Sequence, residues 1–350
     1  MNKILTIVIP TYNMEKYLRR CLDSLIIDDK ELLKKIEVLV INDGSTDSSS
    51  AIAHEYQEKY PNVFRVIDKE NGNYGSCVNI GIELATGKYF RILDADDYYN
   101  TVGLYNLVEF LHCCTDNVDM IITKMSTIAG SIKTESELSN VDYKKVYDFP
   151  ETDIGEKIGG YLFMHQTTYC LSTIKRSGLH HDEGVSYTDL EYIYIPLEYV
   201  EHVVFLDINL YQYVLGRDGQ TMEIAAQIKH INDFYVVKDK LLPLYLNNIQ
   251  NRPSNLLKVQ RKIIINVLYP IYKLSLTEIG RKGAKDKEMR ALAYQLKHKD
   301  IELWEEIKWN MGRLPVIFLW ERFGVYATSY KILWKLYQYL KGLKRTILNR

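Results

Sequence analysis

The first third of the chain alternates short β-branched runs with segments whose apolar residues recur at helical spacing. Leu5–Ile9, Ile36–Ile41, Phe64–Ile67 and Tyr89–Leu93 read as strands, and Glu15–Ile27, Asp47–Tyr60, Gly75–Ala85 and Thr101–His112 as the helices between them. Strands alternating with helices predict an α/β fold, in which a parallel sheet carries helices on its faces. A further apolar strand, Val118–Thr123, leads into a polar, weakly periodic stretch over 131–153. Gly155–Ser172 is expected to be helical with aromatic faces, followed by strands at Val203–Leu206 and Leu210–Leu215. From about Met222 the pattern changes to long helical segments. The expected organisation is therefore a Rossmann-like, mostly parallel domain over 1–222 and a helical region over 223–350.

Ligands of such a sheet collect outside the carboxyl ends of its strands. All four of the first strands end in polar loops there: Pro10-Thr11-Tyr12-Asn13, Asn42-Asp43-Gly44-Ser45-Thr46-Asp47, Asn71-Gly72-Asn73-Tyr74-Gly75 and Asp94-Ala95-Asp96-Asp97. One such loop would be ordinary turn chemistry. Four on one rim point to a site. The last carries three carboxylates at the exit of a buried strand, an arrangement that calls for a positive partner. All-oxygen ligands favour Mg²⁺ or Mn²⁺ over zinc. Asp96, helped by Asp94 or Asp97, would hold such an ion against a diphosphate, where it assists a negatively charged leaving group. Asp43 is placed to accept hydrogen bonds from a nucleobase or ribose, with the backbone of Thr11 to Asn13 along the same edge. Asp47 reads as a cap of the following helix.

Bulk composition narrows the class. The chain has 350 residues and a formal net charge of -1, without the broad basic excess of a nucleic-acid binder. Its five cysteines lack paired ligand spacing, so neither a disulfide framework nor a zinc site is indicated, and a reducing cytoplasm is the expected setting. The apolar run after Lys3 stops at Pro10, too short for a secretory signal, and no segment has the length of a spanning helix. There is no Gly-x-x-x-x-Gly-Lys-Ser/Thr loop and no clean Gly-x-Gly-x-x-Gly fingerprint after the first strand, which argues against an NTPase and a dehydrogenase. What remains is a nucleotide diphosphate used as a leaving group.

The four loops in this order, with Asn79-x-Gly81 following the third, resemble the family 2 inverting glycosyltransferases of the A-type nucleotide-sugar fold. The likeness is strong over residues 3–110 and weaker to about 222. It implies a nucleotide-sugar donor, usually a UDP-sugar, a divalent metal, and transfer with inversion to a glycan or lipid-linked acceptor. Donor contacts carried over are Pro10, Thr11, Tyr12, Asn13, Asp43, Asn71, Gly72, Gly75, Asn79, Asp94 and Ala95, with Asp96 and Asp94 as metal ligands. The third motif departs from the family. Cys77-Val78-Asn79 stands where relatives often have Ala-Arg-Asn, leaving Arg91 either as a substitute cation or as an interior structural arginine.

Single-step inversion needs a general base on the acceptor hydroxyl. The resemblance supplies it from an acidic pair opening a later helix. Here that segment is Thr188-Asp189, so Asp189 is the expected base, with Asp182 and Glu183 in reserve. Arg217 and Gln220, on a loop after the last strand, are expected to close over the diphosphate. His165, His180 and His181 receive no metal assignment. Absence of a Gln-x-x-Arg-Trp motif and of spanning helices argues against a processive synthase. A silent glycan-binding scaffold and a sugar-nucleotide pyrophosphorylase are the alternatives.

The carboxyl-terminal segment Tyr330–Lys341 sets Lys331, Lys335, Gln338 and Lys341 beside a broad apolar and aromatic surface. This pattern fits a helix lying in an anionic membrane interface, which would make the protein peripheral on the inner face of the plasma membrane.

Overall fold

A computed structural model describes residues 2–217, 220–221, 223–247, 249–280, 283–309 and 316–326. The chain forms two compact units, one of residues 1–220 with 251–260, the other of 221–250 with 261–350.

The first unit is built on a ten-stranded mixed sheet. Its strands are β1 (Leu5–Thr11), β2 (Ile36–Asp43), β3 (Phe64–Lys69), β4 (Tyr89–Ile92), β5 (Tyr98–Tyr99), β6 (Met120–Ala129), β7 (Ile132–Glu135), β8 (Val146–Asp148), β9 (Thr167–Cys170) and β10 (His202–Leu215). They run in the order β3-β2-β1-β4-β9-β6-β10-β5, with β7 beside β6 and β8 beside β10. Pairing is parallel across β3, β2, β1 and β4, as the strand-helix alternation predicts, and parallel again between β6 and β10. β1, β2 and β4 are buried almost throughout, which is why they read as unbroken apolar runs rather than alternating ones. Helices Leu18–Asp23, Ser49–Lys59, Asn73–Leu84 and Thr101–Cys113 lie close to their expected positions.

Two expectations are corrected. In place of a helix over Gly155–Ser172 there is a short helix at Ile154–Lys157, a 3₁₀ turn at Met164–Gln166 and the strand β9. Thr167, Thr168 and Tyr169 are β-formers, and antiparallel pairing with both β4 and β6 satisfies their backbone in the middle of the sheet. The two strands expected at Val203–Leu206 and Leu210–Leu215 are one strand, β10, whose register against β6 shifts around Asn209. Such irregularities re-aim a strand without ending it.

The second unit is helical. Tyr272 packs its ring against Trp304 and Trp320 at centroid separations of 5.6 and 5.7 Å. Asp300 caps helix Ile301–Trp309 by accepting from the Leu303 N–H at 3.0 Å. No helix among the described residues is long and apolar enough to cross a membrane. The basic segment Tyr330–Lys341 lies outside the described residues.

Candidate active site

The polar exits of β1 and β2 clasp each other. Asn13, at φ 53°, takes the left-handed backbone that asparagine tolerates. Its N–H donates to Ser45 Oγ at 3.0 Å, and its Oδ1 accepts from the Thr46 N–H at 2.8 Å. Asp47 Oδ1 accepts from the Ser49 N–H at 2.9 Å, the helix-entry role expected of it. Beside this clasp opens a cleft of about 270 Å³ lined by Pro10, Thr11, Tyr12, Met14, Asp43, Asn71, Asn73, Tyr74 and Cys77. Five of the sequence-assigned residues, Pro10, Thr11, Tyr12, Asp43 and Asn71, thus meet on one wall. Asp43 is held from below: Oδ1 accepts from Lys69 Nζ at 2.5 Å and from the Gly72 N–H at 2.9 Å. Lys69 was not singled out from sequence, because a lysine at a strand end carries no signal of its own.

The acidic quartet divides its labour. Asp94 Oδ1 accepts from the Tyr74 hydroxyl at 3.0 Å, and its Oδ2 lies 3.7 Å from His165 Nε2. Asp97, 1 % exposed, accepts from the Val214 N–H at 2.7 Å and the Tyr211 hydroxyl at 2.9 Å, tying the quartet to β10. Burial, then the charges of Asp94 and Asp96, push its carboxyl up to about 8. Asp96 is paired with Arg217, Nε to Oδ2 at 2.8 Å. Ala95 is 2 % exposed and belongs to the hydrophobic core, not to the cleft.

Asp94, Asp97 and His165 each offer a ligand atom, all within 4.8 Å of one another. Two carboxylates and an imidazole suit a divalent cation, Mn²⁺ more than Mg²⁺. Nε2 is the ring nitrogen that lies toward Asp94, and Nδ1 is buried without a hydrogen-bond partner. Sequence alone gives His165 no metal assignment, because a lone histidine is more often structural. The turn into β9 brings it to the acidic exit of β4, where Tyr211 and Tyr213 flank the ring at 4.6 and 4.7 Å.

Arg91 resolves to the interior. It is fully buried and donates to the Tyr99 hydroxyl at 3.0 Å, Thr168 Oγ1 at 2.7 Å, Thr123 Oγ1 at 3.3 Å and the His165 carbonyl. It joins β4, β6 and the entry to β9 and cannot itself touch a ligand in the cleft.

Asp189 opens helix Asp189–Tyr194. Burial raises its pKa, the His165 charge lowers it and the Asp94 charge raises it, giving about 6. The fold therefore brings Asp189 into the electrostatic field of the quartet. Asn79 and Gly75 face the segment preceding that helix instead of the cleft: Asn79 Oδ1 accepts from the His181 N–H at 2.7 Å. Gln220 folds back on its own loop, Oε1 accepting from the Gly216 N–H at 2.9 Å and Nε2 donating to the Val214 carbonyl at 2.7 Å.

A family model, Glycosyl transferase family 2, matches residues 6–169. Among curated proteins, the "Uncharacterized glycosyltransferase MG025 homolog" of Mycoplasma pneumoniae is 43% identical over 98 residues, 27% of this chain and 32% of that protein. The matched stretch spans about a third of the length of the first curated relatives. Among solved structures, S. aureus TarS 1-349 in complex with UDP-GlcNAc superposes with a TM-score of 0.56 at 19% identity, covering 88% of this chain and 80% of that one. The mannosyltransferase PcManGT from Pyrobaculum calidifontis, in complex with GDP-Man and Mn²⁺, gives 0.50 at 13% identity, covering 92% and 88%. These two likenesses bear on the fold, a mixed sheet flanked by helices of the glycosyltransferase A type. Residues 6–169, just under half of the chain, thus carry the sequence pattern of glycosyl transferase family 2.

Proposed function

We propose that this protein transfers a single sugar from a nucleotide-sugar, most simply a UDP-sugar, to a hydroxyl of a glycan or lipid-linked saccharide, with inversion at the anomeric carbon. The observation that carries the reading is that Asp189, its pKa raised to about 6, feels the charges of His165 and Asp94, while Asp94 accepts from the hydroxyl of Tyr74, which lines the cleft with Tyr12 and Asp43. A carboxyl with this pKa is ionised at neutral pH yet is a stronger base than an exposed aspartate. Asp189 takes the acceptor hydroxyl proton while the acceptor oxygen bonds to the anomeric carbon. The bond from that carbon to the diphosphate oxygen breaks as the new one forms, so configuration inverts.

The cleft supplies the nucleotide's surroundings: Tyr12, 47 % exposed, offers a ring face to a base, and Asp43 an acceptor. Asp94 and His165, with Asp97 or Asp96, would hold a divalent cation, which when bound supplies Lewis-acid stabilisation of the departing diphosphate. Arg217, paired with Asp96, would turn to the phosphates. TarS was solved with UDP-GlcNAc and PcManGT with GDP-Man and Mn²⁺, which supports a nucleotide-sugar donor and a metal for this chain too.

The test is a panel of UDP-, GDP- and dTDP-sugars assayed for binding and hydrolysis with Mn²⁺ or Mg²⁺, alongside Asp189→Asn. One donor should bind and be hydrolysed slowly, and the variant should bind it normally while losing transfer. Binding of no donor overturns the proposal in favour of a glycan-binding scaffold; full transfer by the variant moves the base elsewhere.

A further inference from the structure

Gly75 and Asn79, two residues of the third polar motif, lie against the segment 181–184. Asn79 holds the His181 backbone through both of its polar groups: its Oδ1 accepts from the His181 N–H at 2.7 Å, and its Nδ2 donates to the His181 carbonyl at 3.0 Å. The same Nδ2 reaches Glu183 Oε1 at 3.0 Å. Three residues further on, the Gly184 N–H donates to the Gly72 carbonyl at 3.0 Å. Gly75 has no room for a side chain, because a Cβ there would collide with the Asp182 carbonyl oxygen. The helix beginning at Asn73 and the 181–184 segment are thus in backbone-to-backbone contact. That segment is in turn fastened to the helix opened by Asp189: the Asp182 N–H donates to Glu191 Oε2 at 3.1 Å, and Glu191 is fully buried.

We infer that Asn79 and Gly75 are positioning residues for the base, holding the 181–184 segment so that Asp189 sits at the donor's reacting centre. The inference rests on Asp189 being the base. It explains why a motif at the exit of β3 carries an asparagine whose hydrogen-bonding groups are turned away from the nucleotide cleft. A side-chain amide matches the N–H and the C=O of one residue, which a carboxylate or a hydroxyl does only in part. A displacement of about 1 Å at a reacting group costs roughly 10²-fold in rate, so the clamp matters to turnover without touching a ligand.

The experiment compares Asn79→Ala, Asn79→Asp and Gly75→Ala with the unaltered full chain. UDP, GDP and dTDP affinity is measured by calorimetry with Mn²⁺; transfer is measured with the donor from the panel above; amide hydrogen exchange is followed over 181–191. Expected in Asn79→Ala and Gly75→Ala are nucleotide affinity within about twofold of the unaltered chain, a kcat roughly 10²-fold lower and faster exchange at 181–191. Asn79→Asp keeps the acceptor for the His181 N–H and should recover part of the rate. Weakened nucleotide binding with kcat unchanged would make these residues donor contacts and overturn the inference, as would unchanged exchange and unchanged kcat. If one variant does not fold, the other two decide. Failure of the functional reading itself looks different: the unaltered chain then binds no nucleotide, and unchanged exchange over 181–191 in the variants still refutes the clamp.

Discussion

Asp96 and Arg217 form an ion pair, Nε to Oδ2 at 2.8 Å, with both side chains largely shielded from solvent. Asp96 also accepts through its carbonyl from the Arg20 guanidinium at 2.6 Å, and the Arg217 guanidinium lies 5.7 Å from the Tyr17 ring centre. A carboxylate so engaged is a poor cation ligand until its arginine finds another anion. A diphosphate is such an anion, so cation and nucleotide should bind together more tightly than either alone. Arg217→Gln is expected to strengthen Mn²⁺ binding in the absence of nucleotide, by about tenfold or less given the partial exposure of the pair, and to weaken UDP binding. Calorimetric titration of each ligand alone and together checks both signs.

The proposed base, Asp189, sets the expected pH profile. Asp189 has its pKa raised to about 6, and only its ionised form accepts a proton, so kcat should fall as pH drops through 6 and level off above about 7. His165 contributes the opposing influence that holds this value down. Replacing His165 by Phe removes it and should move the acidic limb to higher pH. A pH–rate profile of both proteins measures the shift.

His165 is also a candidate ligand, with its atom among those of Asp94 and Asp97. His165→Ala should weaken Mn²⁺ binding about tenfold or more, and Asp94→Ala similarly. Titration followed by the Mn²⁺ electron paramagnetic signal reads the affinity directly, without any sugar transfer.

Arg91 makes a stability prediction. Its buried guanidinium bonds to three hydroxyls and one carbonyl. Arg91→Met strands the Thr168 hydroxyl and the His165 carbonyl in an interior that water does not reach. A loss of at least about 2 kcal/mol is expected, read from urea unfolding of the two proteins.

For the basic carboxyl-terminal segment, sequence alone motivates the expectation. Removing residues 327–350 should abolish co-sedimentation with anionic vesicles while leaving UDP binding intact. Equal sedimentation of the shortened chain would refute a membrane role for that segment.

Much of the site was legible along the chain because its parts are local. Pro10 to Tyr12, Asp43 and Asn71 each sit at or just past a strand end, and parallel strands of one sheet deliver their exits to one edge, so the motifs meet wherever the alternation is read correctly. The acidic exit of β4 was legible for the same reason: three carboxylates after an apolar run demand partners.

Sequence determined the sheet's parallel half and the order of its polar loops, since strand periodicity and charge placement act over a few residues. Tertiary structure decided who partners whom. β9 is a strand because a place between β4 and β6 awaited it, and that insertion carries His165 to Asp94. Arg91 is a structural cation because β4 is covered on both faces. Asp96 faces Arg217, and Asn79 faces His181, across spans of chain that no local pattern can read. Such pairings follow from which backbone and side-chain groups would otherwise be buried without a hydrogen bond, a condition that exists only once the chain has closed around them.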